Sequence, residues 1–153
     1  MSVFKLEQKA LTVPGMGKLT FDEVLTARQY GKIYLMLGLN ELGYKFEAVE
    51  EKYGEIVAKI RENQSEAVIY LCANLHVTAK QSQKDSVFNN ANVDRVNGMI
   101  KGLTDGKHCI FLDANEIFDD ENGGLRADYS SDAFHIYAKH YMEWVDWLCT
   151  KGI

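Results

Sequence analysis

The chain has 153 residues, of which 46% are hydrophobic and 25% are charged, a composition typical of one folded domain with a sizeable core. The net charge of −5 and the pI near 5.4 argue against nucleic acid or an anionic membrane as a partner. The longest apolar runs have the length of strands, so no membrane-spanning segment is predicted. Three scattered cysteines and the lack of metal-binding spacings favour a cytoplasmic protein with neither metal nor cofactor.

Residues 1–13 are mixed in character and predict at most one short strand. The turn residues Pro14–Gly17 follow. A helix is then expected to begin after Thr20, because Thr20 and Glu23 have the spacing of a capping box. Its apolar positions end near Gln29.

The stretch Ile33–Leu37 is apolar without interruption, which predicts a strand that is buried on both faces. It ends in Gly38, which allows a sharp turn, and Asn40 lies just beyond. In open α/β sheets, ligands bind beyond the carboxyl ends of the strands. A side-chain amide at this place can donate hydrogen bonds to an oxygen that gains negative charge during acyl transfer. An ordinary turn with a capping Asn is the alternative interpretation.

The rest of the chain alternates between helices and strands. Helical spacing of apolar residues predicts helices over about 46–63, 90–103 and 136–150, and continuous apolar runs predict buried strands at 67–72 and 109–112. Regular alternation of this kind indicates βαβ units and a parallel sheet covered by helices. The sequence therefore predicts one three-layer α/β domain over residues 1–153.

Asp132 and His135 form a second candidate site at the entrance to the last predicted helix. At this spacing, the carboxylate can hold the imidazole in one tautomer and leave its other nitrogen to take a proton from a nucleophile. The alternative is that Asp132 caps the helix and His135 is an ordinary surface residue.

Two motifs together resemble the SGNH (GDSL-type) hydrolase family. They are Gly38-Leu39-Asn40-Glu41 after a predicted strand and Asp132-Ala133-Phe134-His135 before the terminal helix. The resemblance implies a flavodoxin-like three-layer fold and hydrolysis of a small ester, such as an acetylated carbohydrate or a short acyl ester. It also implies that Asn40 is an oxyanion donor and that Asp132 and His135 are the acid and base of a triad. Glu41 stands where the family has Asp.

The Gly-Asp-Ser block that carries the family's nucleophile is missing. Only Ser2 precedes Asn40, and no Gly-Asp stands before it. The resemblance therefore implies an N-terminally shortened chain that lacks the first, central strand, which would lie between a strand in residues 1–13 and Ile33–Leu37. The sheet would then have an open edge that invites pairing with another chain, as in a homo-oligomer. The family's second block, a glycine of the oxyanion hole, is Gly15 or Gly17.

The chain is expected to descend from ester hydrolases and to have little catalytic turnover of its own. The alternatives are a non-catalytic, ligand-binding or self-associating module of the same fold, and a nucleotide or phosphate binder, which no glycine-rich loop supports. Glycines assigned to the oxyanion or binding site are Gly17 and Gly38. Residues expected to line a substrate pocket are Leu39, Leu42, Tyr44, His76 and Phe134.

Overall fold

The computed structural model describes residues 1–151. Its strands are β1 (Leu11–Val13), β2 (Gly17–Leu19), β3 (Lys32–Leu35), β4 (Val68–Cys72) and β5 (Cys109–Leu112). Its α-helices are α1 (Phe21–Ala27), α2 (Phe46–Asn63), α3 (Ala79–Lys84), α4 (Asn90–Gly102), α5 (Asn115–Phe118) and α6 (Tyr141–Thr150). The capping box of Thr20 and Glu23 is present at the start of α1 and confirms the predicted helix start.

The main sheet is parallel and has three strands in the order β3–β4–β5. Ile33 of β3 lies opposite Ile69 of β4, which in turn lies opposite Cys109 of β5. The carboxyl ends of the three strands therefore reach the same edge of the sheet, and the loops that follow them meet there.

Helices cover both faces of this sheet, which gives the predicted three-layer arrangement. Alternate strand residues, such as Ile69 and Leu71, face a core formed with α1, α2 and α4. The intervening residues, such as Tyr70 and Cys72, face a second core formed with α5, α6 and the loop between them. No helix within residues 1–151 is both long enough and apolar enough to cross a membrane.

The amino-terminal part differs from the prediction. The strand expected in residues 1–13 is only Leu11–Val13, and it pairs with β2 in a separate antiparallel hairpin instead of joining the main sheet. The outer edge of β3 is therefore unpaired within the described residues. Tyr34 and Met36 are exposed, so the prediction that Ile33–Leu37 is buried on both faces is wrong, because no element covers the outward face at this edge.

Two helical predictions also need correction. The segment between Val77 and Asp85, where the sequence predicts neither a helix nor a strand, contains α3. The terminal helix begins at Tyr141 and not near residue 136. Ile136 instead lies opposite Ser130 in an antiparallel bridge, in which the Tyr137 N–H donates to the Tyr129 carbonyl at 2.8 Å. A short 3-10 turn, Ala138–His140, then leads into the helix.

Candidate active site

Asp132 shapes the loop that carries His135. One carboxylate oxygen accepts the backbone N–H groups of Phe134 at 2.9 Å and His135 at 2.8 Å. The other lies 2.7 Å from Nδ1 of the His135 imidazole. The hydrogen bond with the His135 side chain, helped by the backbone N–H groups, holds the pKa of the Asp132 carboxyl well below its usual range. Asp132 therefore stays ionised and orients the ring, while the N-cap of α6 is His140.

The pair lies at the surface, since the side chains of Asp132 and His135 are 51% and 76% exposed. The loop is anchored on its inner side, where the Ala133 carbonyl accepts the Thr78 N–H at 3.1 Å. The ring of Phe134 packs edge-on against Phe88, with 5.9 Å between the ring centroids. These contacts hold an exposed imidazole in a defined place.

Asn40 lies in the turn that follows β3, and Gly38 makes this turn possible. Gly38 has a φ of +122°, a conformation that residues with a Cβ rarely adopt. A Cβ at this position would also lie 2.8 Å from Cγ1 of Val96 and 3.0 Å from Nδ2 of Asn74. Beyond the turn, the Asn40 amide donates to the Met1 carbonyl at 3.0 Å.

Replacing Gly38 by Ala is expected to lower the free energy of unfolding by about 2 kcal/mol, because the backbone strain and the contact with Val96 cannot both be relieved. The matched control is Gly98→Ala in α4, where a Cβ meets nothing within 4 Å. That change should raise the stability by roughly 0.5 kcal/mol, as expected for a glycine inside a helix. Urea unfolding of both variants measures the two effects, and equal effects would contradict this role for Gly38.

A buried group of three asparagines supports the same turn. The Asn74 side chain accepts the Leu39 N–H and donates to the Leu37 carbonyl, both at 3.0 Å, on the two sides of Gly38. Asn97 accepts the backbone N–H of Asn74 at 2.8 Å and donates to its carbonyl at 3.0 Å. Asn115 donates to the same carbonyl at 3.1 Å. Asn74 follows a buried strand, as Asn40 does, and this position is a sequence signal that its partner Asn97 lacks.

The Asn40 turn and the His135 loop share one cavity of about 260 Å³. It brings together the predicted site residues Gly38, Leu39, Asn40, Phe134 and His135. The other lining residues, which sequence reasoning did not identify, are Met1, Met36, Leu37, Asn74, Leu75, Ile136, Tyr141 and Trp144.

Five predicted site residues do not line this cavity. One is Asp132, which contacts the cavity only through His135. Leu42 packs against the core under α2, and Tyr44 stacks on Phe4 with 5.3 Å between centroids, because the turn after Glu41 leads the chain away from the sheet edge. His76 is held between two carboxylates, Asp94 and Asp119. Gly17 lies in the separate β1–β2 hairpin.

None of the chain's serines lines the cavity within the described residues. Ser130 donates to Asp132 at 3.1 Å, on the carboxylate side of the pair. Ser130 and Ser131 border a separate hollow next to Thr78 and Lys80. The cavity is thus lined by the His135 imidazole and the Asn40 amide, with no serine among its described lining residues.

Comparison with known proteins gives a family and a fold. The model of the GDSL-like Lipase/Acylhydrolase family matches residues 10–141. Among solved structures, the chain is similar to one from Streptococcus pneumonia described as a platelet activating factor, with a TM-score of 0.64 and 20% identity over 72% of this chain and 54% of that one. This chain thus corresponds to about half the length of that protein. No curated protein matches the chain. The family match covers most of the sequence, and the chain belongs to the GDSL-like Lipase/Acylhydrolase family.

Proposed function

We propose that this chain carries the acid–base pair and an oxyanion donor of a serine ester hydrolase. The observation that supports this proposal is that His135, bound to Asp132 at 2.7 Å, lines the same cavity as Asn40. Family membership supports ester hydrolysis as the reaction class.

His135 is the proposed base. In the neutral ring that donates its Nδ1–H to the ionised Asp132, Nε2 carries no proton and can take one from a hydroxyl group. No described residue hydrogen-bonds to Nε2. The proton would then pass from the imidazolium to the leaving alkoxide, so that His135 acts as base and afterwards as acid.

Asn40 is the proposed oxyanion donor. Its amide already binds a carbonyl oxygen, that of Met1. In the reaction the acyl oxygen would take the place of this carbonyl, and the bond would strengthen as negative charge develops on it. The volume of about 260 Å³ and the mainly apolar walls suit a small ester, either an acetylated carbohydrate or a short acyl ester.

The missing component is the nucleophile. Since no serine of the described chain lines the cavity, no serine hydroxyl lies there for His135 to activate, and the chain alone is proposed to have little or no turnover. The same observation favours a second candidate, a non-catalytic module that binds esters in this cavity. The three free cysteines support a reducing compartment such as the cytoplasm.

Intact-mass spectrometry after incubation with a fluorophosphonate tests the absence of a nucleophile. We expect no stoichiometric adduct, and we expect hydrolysis of an activated acetate ester to equal that of the His135→Ala variant. His108→Ala serves as the control, because His108 is exposed and does not line the cavity.

One stoichiometric adduct that forms in the wild type and in the His108→Ala protein, but not in the His135→Ala protein, would overturn this proposal. It would show that a serine of this chain reaches His135. The modified serine could then be located by peptide mapping.

A further inference from the structure

Strand β3 has a free edge whose hydrogen-bonding groups can be assigned. The Val68 N–H of the neighbouring strand donates to the Gly31 carbonyl at 3.1 Å. Because successive residues of a strand direct their peptide groups to opposite sides, Lys32, Tyr34 and Met36 direct theirs away from β4. Within residues 1–151, no other strand pairs with this edge. The free edge can therefore accept a further strand.

An apolar patch lies beside this edge. It consists of Tyr34, Met36, Tyr141, Met142 and Val145, which are each between 43% and 63% exposed. Met36 and Tyr141 line the same cavity, Tyr34 is two residues from Met36 on the same face of the strand, and the three α6 residues share one side of that helix. The patch therefore extends from β3, along the shared cavity, to α6.

The size of the patch is that of an interaction surface. With about 100 Å² exposed on each of five large side chains, it covers on the order of 500 Å². Two copies of the patch would bury on the order of 1,000 Å² before the backbone of β3 is counted, which reaches the lower limit for a specific interface.

We propose that this surface binds a second copy of the chain through antiparallel pairing of β3 with its counterpart around a two-fold axis. With the axis at Tyr34, the two Tyr34 residues form one hydrogen-bonded pair, and Lys32 of each copy pairs with Met36 of the other. An axis perpendicular to the sheet leaves both α6 helices on the same face. Their exposed apolar residues then meet next to the paired strands.

A second copy fits this surface because one symmetric contact covers the strand edge and the helix together. The pairing places the aliphatic part of Lys32 along Met36, with its ammonium group at the rim, where water remains. It joins two three-stranded sheets into one of six strands. Met36 and Tyr141 also belong to the cavity wall, so the second copy flanks the proposed site without being required for its chemistry.

Cross-linking tests the register. The Cα atoms of a hydrogen-bonded antiparallel pair are about 5.5 Å apart, a separation that a disulfide bridges. In a Cys149→Ser background, which removes the exposed native thiol, Tyr34→Cys should form a covalent dimer under mild oxidation. Tyr44→Cys, which is also exposed but lies outside the patch, should remain monomeric. Equal cross-linking of the two variants, or none in Tyr34→Cys, would overturn the proposed pairing.

Light scattering across a dilution series tests the contact in the unmodified chain. We expect a dimer, and we expect Val145→Arg to raise its dissociation constant at least tenfold. The control is Ala58→Arg, because Ala58 is exposed on α2, on the opposite face of the sheet. This change should leave the dissociation constant unchanged. A wild-type chain that is monomeric at every concentration would overturn the proposal and leave the edge to a different partner. Circular dichroism verifies that each variant is folded.

Discussion

Raising the pH from about 6.5 to about 10 is expected to lower the free energy of unfolding by up to about 3 kcal/mol through the deprotonation of His76. Burial by itself would lower the pKa of this imidazole, but hydrogen bonds and charges from Asp119 and Asp94 outweigh burial and raise the pKa to about 9. In the unfolded chain its pKa is near 6.5. The stabilisation is therefore complete below about pH 6.5 and is lost as the pH rises through 9.

The geometry explains why the charged form of His76 is favoured. Its Nδ1 lies 2.6 Å from Asp119 and its Nε2 lies 2.9 Å from Asp94, with only 13% of the ring side chain exposed. Deprotonation removes one of these two donors, which breaks a hydrogen bond to a carboxylate. Asp94 is itself 65% exposed, so solvent weakens its contribution and Asp119 is the more important partner.

Urea unfolding at a series of pH values measures this effect in the wild type and in His76→Gln. Because burial also raises the pKa of the Cys72 thiol to about 11, some loss of stability above about pH 8.5 is expected in both proteins. The difference between the two curves isolates His76. His108→Gln is the control and should keep the wild-type dependence. Parallel curves for the wild type and His76→Gln would show that the two carboxylates do not stabilise the charged ring.

The sequence predicted the elements in which the spacing of apolar residues is enough to show which side chains are buried. The apolar spacing from Val49 to Ile60 predicted α2 with its observed limits, and the apolar run Cys109–Leu112 is the observed β5. Strand β3 was predicted less well, because the exposure of Tyr34 depends on whether another element covers that face. No pattern within the strand contains this information.

The loop around Asp132 shows a second limit. Apolar and aromatic residues from Ile136 onward have helical spacing, yet the helix begins only at Tyr141. Asp132 binds the N–H groups of Phe134 and His135, and a local turn of this kind competes with helix formation. The turn at Asp132 and the bond from Tyr137 to Tyr129 together keep this segment out of the α-helix, although its apolar spacing favours one.

The sequence predicted a residue of the candidate site only where a chemically suitable side chain belongs to a motif at the end of a predicted strand or the start of a predicted helix. Asn40 and His135 come from distant segments, and the resemblance to a family predicts that both belong to one site. Leu42, Tyr44 and His76 are close in sequence to strand ends, but closeness along the chain does not determine which side chains face a cavity. The partners of Asn74 depend on the packing of α4 and α5 against the sheet, which a single sequence does not reveal.

Replacing Asn74 by Ala is expected to lower the free energy of unfolding by about 3–4 kcal/mol, because the substitution leaves more than one buried polar group without a partner. The Leu39 N–H and the Leu37 carbonyl both lose the Asn74 side chain. Asn97 keeps its bonds to the backbone of Asn74, so the damage should concentrate at the turn after β3.

Asn63→Ala is the matched control, since the Asn63 amide bonds only to the Lys59 carbonyl of its own helix, and its loss should cost less than about 1 kcal/mol. Urea unfolding compares the two variants, and hydrogen exchange at the Leu39 amide reports the turn directly. Asn74→Asp should resemble Asn74→Ala, because an ionised carboxylate accepts the Leu39 N–H but cannot donate to the Leu37 carbonyl. If Asn74→Asp instead kept wild-type stability, the donation to Leu37 would contribute little, and Gly38 alone would determine where Asn40 lies relative to His135.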